Sequence, residues 1–418
     1  MKNLSLQTRY SIAQGLYWAA GCALFGFAAV FLKEKGLGNT EIGLTVGLAS
    51  LASCCLSPLL SSLAAKHNKI SIQEYLILFL IITMILFCSL SLFALPAILT
   101  MVLFGLLYCL NVSTNPFLSQ MVMNYSQEGK RVDFGSARGI GSISYAIAAV
   151  VLGQLISGIG VHFLGLIYMI GMAALILLLQ SMPKTYPASY VKKEAVRHQT
   201  KNKEKSFITR YPLFFILLTG FSLCFMVSSC MSTYMINIID KIGMSQSLLG
   251  VCLFMMAASE LPMMMMAPRL KSRFGLMPVL LIAALAYGVR NICIATADSM
   301  MMLIIGLIFQ GMSYGVFTAL ITDYAGSALA AEDRMLGQSW IAISTTGIGG
   351  TIGNLFGGML QDVFGLSVLL KLCIVITMIG IMIAVSGILR DSAFSEDLTH
   401  LLRRKKSCYR VNQHSSIG

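Results

Sequence analysis

Charge is scarce in this chain. Only 11% of its 418 residues are Asp, Glu, Lys or Arg, against about 25% in an ordinary soluble domain. A soluble fold of this length still needs a charged surface, so that class is excluded. Histidine occurs five times, and none of the five sits deep in an apolar run, which removes a histidine relay or a histidine metal site. Eleven cysteines are present, scattered through apolar runs as at Cys54, Cys55, Cys109 and Cys293. Without CxxC or Cys/His ligand spacing they read as small buried hydrophobes rather than a disulfide or zinc framework. The apolar segments hold no nucleophile–base or metal constellation, and no phosphate-cradling Walker loop occurs. An enzyme, a cofactor and ATP as the energy source are thereby disfavoured.

What the chain has is apolar length: 57% of its residues are hydrophobic. A bilayer core of about 30 Å takes about 20 apolar residues per helix. Runs of that size predict helices near 10–32, 41–65, 71–94, 97–125, 134–159, 162–182, 211–239, 246–267, 276–297, 299–325, 335–360 and 366–389. The expected fold class is an all-α membrane protein of twelve transmembrane helices. Met1 to Arg9 is polar and the apolar run after it is too long for a signal-peptide core. That run reads as the first span.

The cations test this count. Of 30 Lys and Arg, 25 fall on one side, counting Arg138 as a loop residue. Lys33, Lys35 and Lys241 fall on the other side, and Arg290 and Lys371 within helices. Such asymmetry follows the positive-inside rule. It predicts a multi-pass protein of a bacterial inner membrane, with N- and C-termini both cytoplasmic. The net charge of +13 then suits anionic lipid and needs no nucleic acid. The polar stretch 183–210, with Lys192, Lys193, Lys201, Lys203 and Lys205, reads as a cytoplasmic linker. It divides an N-terminal six-helix bundle, 1–182, from a C-terminal one, 211–390. Residues 391–418, with Arg403, Arg404, Lys405 and Lys406, read as a basic cytoplasmic tail.

The halves are related. Gly36-Leu37-Gly38-Asn39-Thr40-Glu41-Ile42-Gly43 follows the first helix, and Gly243-Met244-Ser245-Gln246-Ser247-Leu248-Leu249-Gly250 follows the seventh, 207 residues later. Polar residues beside glycine suit a turn and a helix N-cap. A six-plus-six duplication of this kind places a solute site at the membrane midplane, between pseudo-symmetric halves.

These residues resemble the major facilitator superfamily, in the branch that holds lactose permease, nucleoside permeases and phenylpropionate permeases. Tyr17-Trp18 and Phe25-Gly26-Phe27 with the Gly36–Gly43 octet are similar to that branch's opening pattern. Phe134 to Ser142 is similar to its helix-five motif, Ser259-Glu260-Leu261-Pro262 to part of helix eight, Arg290 to a helix-nine position, and Gln310 to Gly315 to part of helix ten. The resemblance implies two six-helix bundles that rock about a central site. There are departures. Leu63 to Lys69 lacks the aspartate of the usual loop motif, and the helix-five Gly-Pro signature of drug/proton antiporters is absent. Gln120 stands where lactose permease has a sugar-contacting acid, and Gln310 and Ser313 where it has its proton-linked histidine and glutamate. Tyr145 stands where its sugar-stacking aromatic does.

Charges inside a span are retained only with a partner or a wet cavity. Glu260 and Arg290 differ in depth by about 8 Å at 1.5 Å per residue, within reach of a pair. They are the candidate proton-coupling residues: Glu260 exchanges the proton and Arg290 tunes it, with a static ion pair as the structural alternative. Arg138, Gly141 and Tyr145 share one face of helix five, where a guanidinium beside an aromatic suits a polyol or a carboxylate-bearing ring. The alternative is that Arg138 pairs with Asp133. Asn111 and Asn115, four apart, share a face of helix four, and Gln120 lies about 140° from Asn115. With Tyr17, Trp18 and Gln310 these residues form the candidate substrate site. Met263 to Met266 reads as packing, and Gly349, Gly353 and Gly357 as a close-approach stripe. Pro116 and Pro262 are candidate kinks.

The expected function is secondary transport by a monomer. It would be proton-coupled symport of a small sugar-like or nucleoside-like solute, without a cofactor and driven by the proton gradient. Arg138 and Arg290 against Glu260 leave the presumed cavity at about +1 by count, which keeps uptake of an organic carboxylate as a second expectation. A membrane receptor of the same fold is a third.

Overall fold

The computed structural model describes residues 4–66, 69–130, 132–186, 207–330 and 333–391, and these form helices with no strand among them. Span 1 is the pair Leu6–Phe25 and Ala28–Glu34, span 2 is Asn39–Lys66 and span 3 is Ile72–Leu92. Span 4 is Ala97–Gln127, span 5 Phe134–Ile159 and span 6 Phe163–Gln180. Span 7 is Pro212–Thr233 continued by Met235–Lys241, span 8 Leu248–Phe274 and span 9 Leu276–Ala295. Span 10 runs from Met300 to Ala328 through a π-helical turn at Gly311–Gly315. Span 11 runs from Arg334 to Phe364 through another at Ile343–Gly349, and span 12 is Leu366–Arg390.

Ten of these helices are long and apolar enough to cross a bilayer, and the bent first span makes eleven. Span 11 is more polar, carrying Thr351, Asn354 and Gln361, all buried. Packing against spans 2 and 7 shelters these polar side chains, while Ile352, Phe356 and Met359 face outward.

The expected helices are all present, with three changes. Span 1 bends by 45° between its two parts. A Cβ at Gly26 would lie 2.7 Å from Leu253 of span 8, so the glycine there admits the opposite half. Span 7 breaks at Tyr234, offset from the Phe27 break by the same 207 residues as the two octets. Third, the linker does not begin loose at 183. Tyr125 OH donates to the Pro183 carbonyl and Ile72 N to the Thr185 carbonyl, and Phe207–Arg210 is already a helical turn. The remaining linker lysines named above and the basic tail lie outside the described residues, as do His67 and Asn68 of the eroded loop motif.

Local chemistry sets the ends. Ser71 and Glu74 form a reciprocal capping box for span 3. Asp133 accepts from the Gly135 and Ser136 amides at the start of span 5. Gly36 and Gly243 turn at φ 85° and 77°, and Gly160 and Gly365 at 93° and 81°. All four sit in the left-handed region that glycine alone enters freely.

The duplication shows in the packing. Span 1 lies on 5 and 6, span 4 on 2 and 3, and span 3 on 6; correspondingly span 7 lies on 11 and 12, span 10 on 8 and 9, and span 9 on 12. Two equivalent seams, 2 with 11 and 5 with 8, join the halves. We term the face where span 1 begins and span 12 ends the near face, and the face of Lys33, Lys241 and Asp362 the far face.

Candidate functional site

A cavity of about 350 Å³ lies between the halves. Spans 1, 4 and 5 supply Tyr17, Trp18, Tyr108, Asn115, Arg138, Ser142 and Tyr145; span 8 supplies Leu253, Met256 and Glu260. The wall is thus mostly aromatic and aliphatic, with a few convergent polar groups, the make-up of small-molecule sites.

Arg138 is a member of the span 5 helix, not of the preceding loop. It does not pair with Asp133, whose carboxylate is engaged in capping. Its guanidinium lies 4.0 Å from the Trp18 ring centroid and its Nη1 donates to Ser142 Oγ at 2.8 Å. Desolvated stacking of this kind adds to the hydrogen bond. Trp18 is held in turn. Its Nε1 donates to Gln14 Oε1, Gln14 Nε2 donates to Tyr10 OH, and Tyr10 OH donates to the Leu118 carbonyl. Gly141 does not share the cavity wall with Arg138 and Tyr145. It faces Trp18, and a Cβ there would come within 2.7 Å of Cδ1. Ser142, one residue on, takes the cavity position.

Asn111 and Asn115 are separated rather than grouped. Asn115 lines the cavity. Asn111 is fully buried and donates to Tyr168 OH in span 6 at 2.6 Å. Four residues cover about 400° of helix, about 40° past a whole turn, and across that offset the two amides meet different neighbours. Tyr17 contributes its ring to the wall, while its hydroxyl donates to the Asn111 carbonyl at 2.6 Å.

Glu260 lines the cavity and accepts from Gln310 Nε2 at 2.7 Å. Gln310 is buried behind it rather than on the wall. Arg290 is fully buried in the C-terminal half and does not line the cavity. Its Nη1 donates to Asn291 Oδ1 at 2.8 Å and its Nη2 reaches Ser232 Oγ at 3.4 Å. Asn291 also takes Ser228 and gives to Thr377. No ion pair joins Glu260 to Arg290 among the described residues. The depth argument allowed one, but Arg290 bonds instead to Asn291 and Ser232, and Glu260 to Gln310. The wall therefore carries one cation, Arg138, and one anion, Glu260, not the net positive charge expected.

Sequence reasoning missed Tyr108, Ser142, Leu253 and Met256. Two had a signal: Ser142 is at i+4 from Arg138, and Tyr108 at i−7 from Asn115.

Paired six-helix bundles around a mostly apolar central cavity with a few convergent polar groups define the transporter class of membrane protein. The chain belongs to the MFS_1 like family, which it matches over residues 7–372. It is 23% identical to maltose permease of Geobacillus stearothermophilus over 383 residues, covering 91% of this chain and 94% of that protein. It is 22% identical to the uncharacterized transporter YwbF of Bacillus subtilis (strain 168), covering 87% and 89%. In structure it is similar to the nucleoside transporter NupG, with a TM-score of 0.74, 15% identity, and coverage of 93% of this chain and all of that one. A bacterial homolog of the human lysosomal transporter Spinster, in an inward-facing unoccupied conformation, gives a TM-score of 0.64 at 14% identity, covering 94% and 97%. The protein is a multi-pass transporter of the major facilitator superfamily.

Proposed function

We propose that this transporter imports a small neutral polar solute, sugar-like or nucleoside-like, together with protons, across a bacterial inner membrane with both termini cytoplasmic. The observation that carries the solute class is the balanced wall. Arg138 offers donors, Glu260 offers acceptors, and aromatic rings flank both. A polyol uses both polar groups and stacks its apolar ring face, whereas a carboxylate would meet Glu260 as well as Arg138. The cavity is at the small end of the usual 300–1,000 Å³ range, which suits one or two rings. A maltose permease among its relatives and a nucleoside transporter among its structural neighbours agree with that class.

Among the described residues Glu260 is the only carboxylic acid on this wall, so it is assigned the coupling proton. Arg290 acts on it from behind, through the protein interior. Rocking of the halves exposes the cavity to each side in turn, and one chain supplies both halves, so a monomer suffices.

Flux into proteoliposomes tests this. With a proton gradient imposed, maltose or uridine should accumulate, and collapsing the gradient with an ionophore should end accumulation. Solute-independent proton leak, or uptake indifferent to the gradient, would overturn coupling. A second reading has its own support: Arg138 has no carboxylate partner among the described residues. Uptake of 3-phenylpropionate, or inhibition by it but not by sugars, would select the organic-carboxylate reading. Binding without flux would select a receptor.

A further inference from the structure

The two repeated octets occupy the two seams between the halves. In the first seam a Cβ on Gly43 would meet the Asn354 carbonyl, and one on Gly358 the Asn39 carbonyl. In the second, Gly250 lies against the Ala149 carbonyl and Gly153 against that of Ser247. Both seams are therefore backbone-close on the far half of the molecule.

They differ in how their helix ends are joined. Asp362, near the end of span 11, accepts from Thr40 N at 2.7 Å, Thr40 Oγ1 at 2.7 Å and Asn39 Nδ2 at 2.8 Å. Those groups open span 2, so a carboxylate of one half caps a helix of the other. The surroundings extend the join. Asn237 Nδ2 donates to Asn39 Oδ1, Lys33 donates to Asn237, and Tyr234 OH bridges the Asn39 and Asn354 carbonyls. Ser157 holds the matching place in the twin seam, three residues before Gly160 as Asp362 is before Gly365. Its hydroxyl is turned back on the Gly153 and Gln154 carbonyls of its own helix. On the near face, Gln7 binds Asp133 and Arg210 binds Asp333, each pair within one half.

We propose that Asp362 is a one-sided latch, a trans helix cap that sets how long the carrier rests with its far face closed. Opening that face strips span 2 of its cap and gives up three hydrogen bonds of the carboxylate to water, whereas opening the near face breaks neither of the pairs just named. Residues 63–69, on the near side, contain no acid that could form the reverse latch. The inference rests on the rocking mechanism proposed above but on neither protons nor a solute.

Hydrogen–deuterium exchange on the full chain in lipid nanodiscs tests it without either. Asp362→Ala should speed exchange over 38–46 and 354–364, and slow it on the opposite side over 134–142 and 258–262. The open-to-closed ratio of the far face should rise about fivefold, the scale of one lost cap. Asp362→Asn, which keeps a capping oxygen, should fall between. The slowing on the near side is the deciding signal, because a merely local cap cannot produce it. Faster exchange confined to the first turn of span 2 would overturn the latch. If the alanine variant does not fold, Ser157→Asp supplies the converse: it should protect 245–250, and unchanged exchange there would overturn the proposal as well. Failure of proton-coupled flux with these exchange changes intact would sink the coupling reading alone.

Discussion

Gln310 Nε2 donates to Glu260 Oε1 across 2.7 Å, joining span 10 to span 8 behind the cavity wall. The partner is a neutral amide, so Glu260 can change its charge without breaking an ion pair, and the carboxylate still faces the cavity. Only half of the amide is used, since Gln310 Oε1 is buried without a partner. A protonated Glu260 could therefore be met by a turned amide, which would accept instead of donate.

Replacing Glu260 by Gln fixes the neutral form. Uphill accumulation should be lost while exchange of labelled for unlabelled solute persists. The check is a paired assay in proteoliposomes, net uptake against counterflow. Uphill uptake at the normal level would show that the proton travels elsewhere.

Arg290 invites the opposite expectation about stability. It is fully buried, its Nε has no partner, and Asn291 Oδ1 keeps Ser228 when the guanidinium goes. Arg290 has no carboxylate partner among the described residues, so an apolar chain of similar length removes a desolvation cost without leaving an opposite charge unpaired. Arg290→Met should therefore leave thermal unfolding within about 1 kcal/mol of the parent, or raise it, while proton-driven accumulation falls. A large loss of stability would mean that Arg290 is a structural anchor.

Much of this was legible beforehand, and the reasons are physical. Hydrophobic length and the placement of lysine and arginine are one-dimensional signals, so the spans and the duplication could be read directly. Gly36 and Gly243 announced a repeated turn that the structure holds at positive φ. Arg138 and Tyr145 were placed together because one helix carries both. Arg290 was misplaced because depth along a helix says nothing of azimuth between helices. Asp362 was passed over because its partners lie more than 320 residues away in sequence. Trans caps leave no local pattern.

Asn111 and Asn115 separate stability from affinity. Asn111 gives its amide to Tyr168 OH in a fully buried place. Asn111→Ala should cost about 1–3 kcal/mol through the lost buried hydrogen bond and leave affinity for a transported solute nearly unchanged. Asn115→Ala, on the cavity wall, should do the reverse. Thermal unfolding and transport kinetics on the same preparations check both, and equal losses of stability would contradict the separation.

The indole of Trp18 is more platform than ligand contact, because the Arg138 guanidinium lies 4.0 Å from its ring centroid. Trp18→Ala should then act through Arg138 and raise KM for a transported solute roughly two- to thirtyfold, the range of a cation–π contact. Maximal rate should change little, and Trp18→Phe, which keeps a smaller face, should lie between. Gly141→Ala should mimic the loss, since its Cβ would arrive 2.7 Å from Cδ1 and force the ring to move. The chain has two tryptophans, so Trp340→Phe leaves Trp18 as the sole tryptophan, whose emission can be excited selectively over tyrosine. In that background Arg138→Leu should bare the indole and increase its quenching by acrylamide. Unaltered quenching would mean that the guanidinium does not cover the ring, and the KM effects would need another cause.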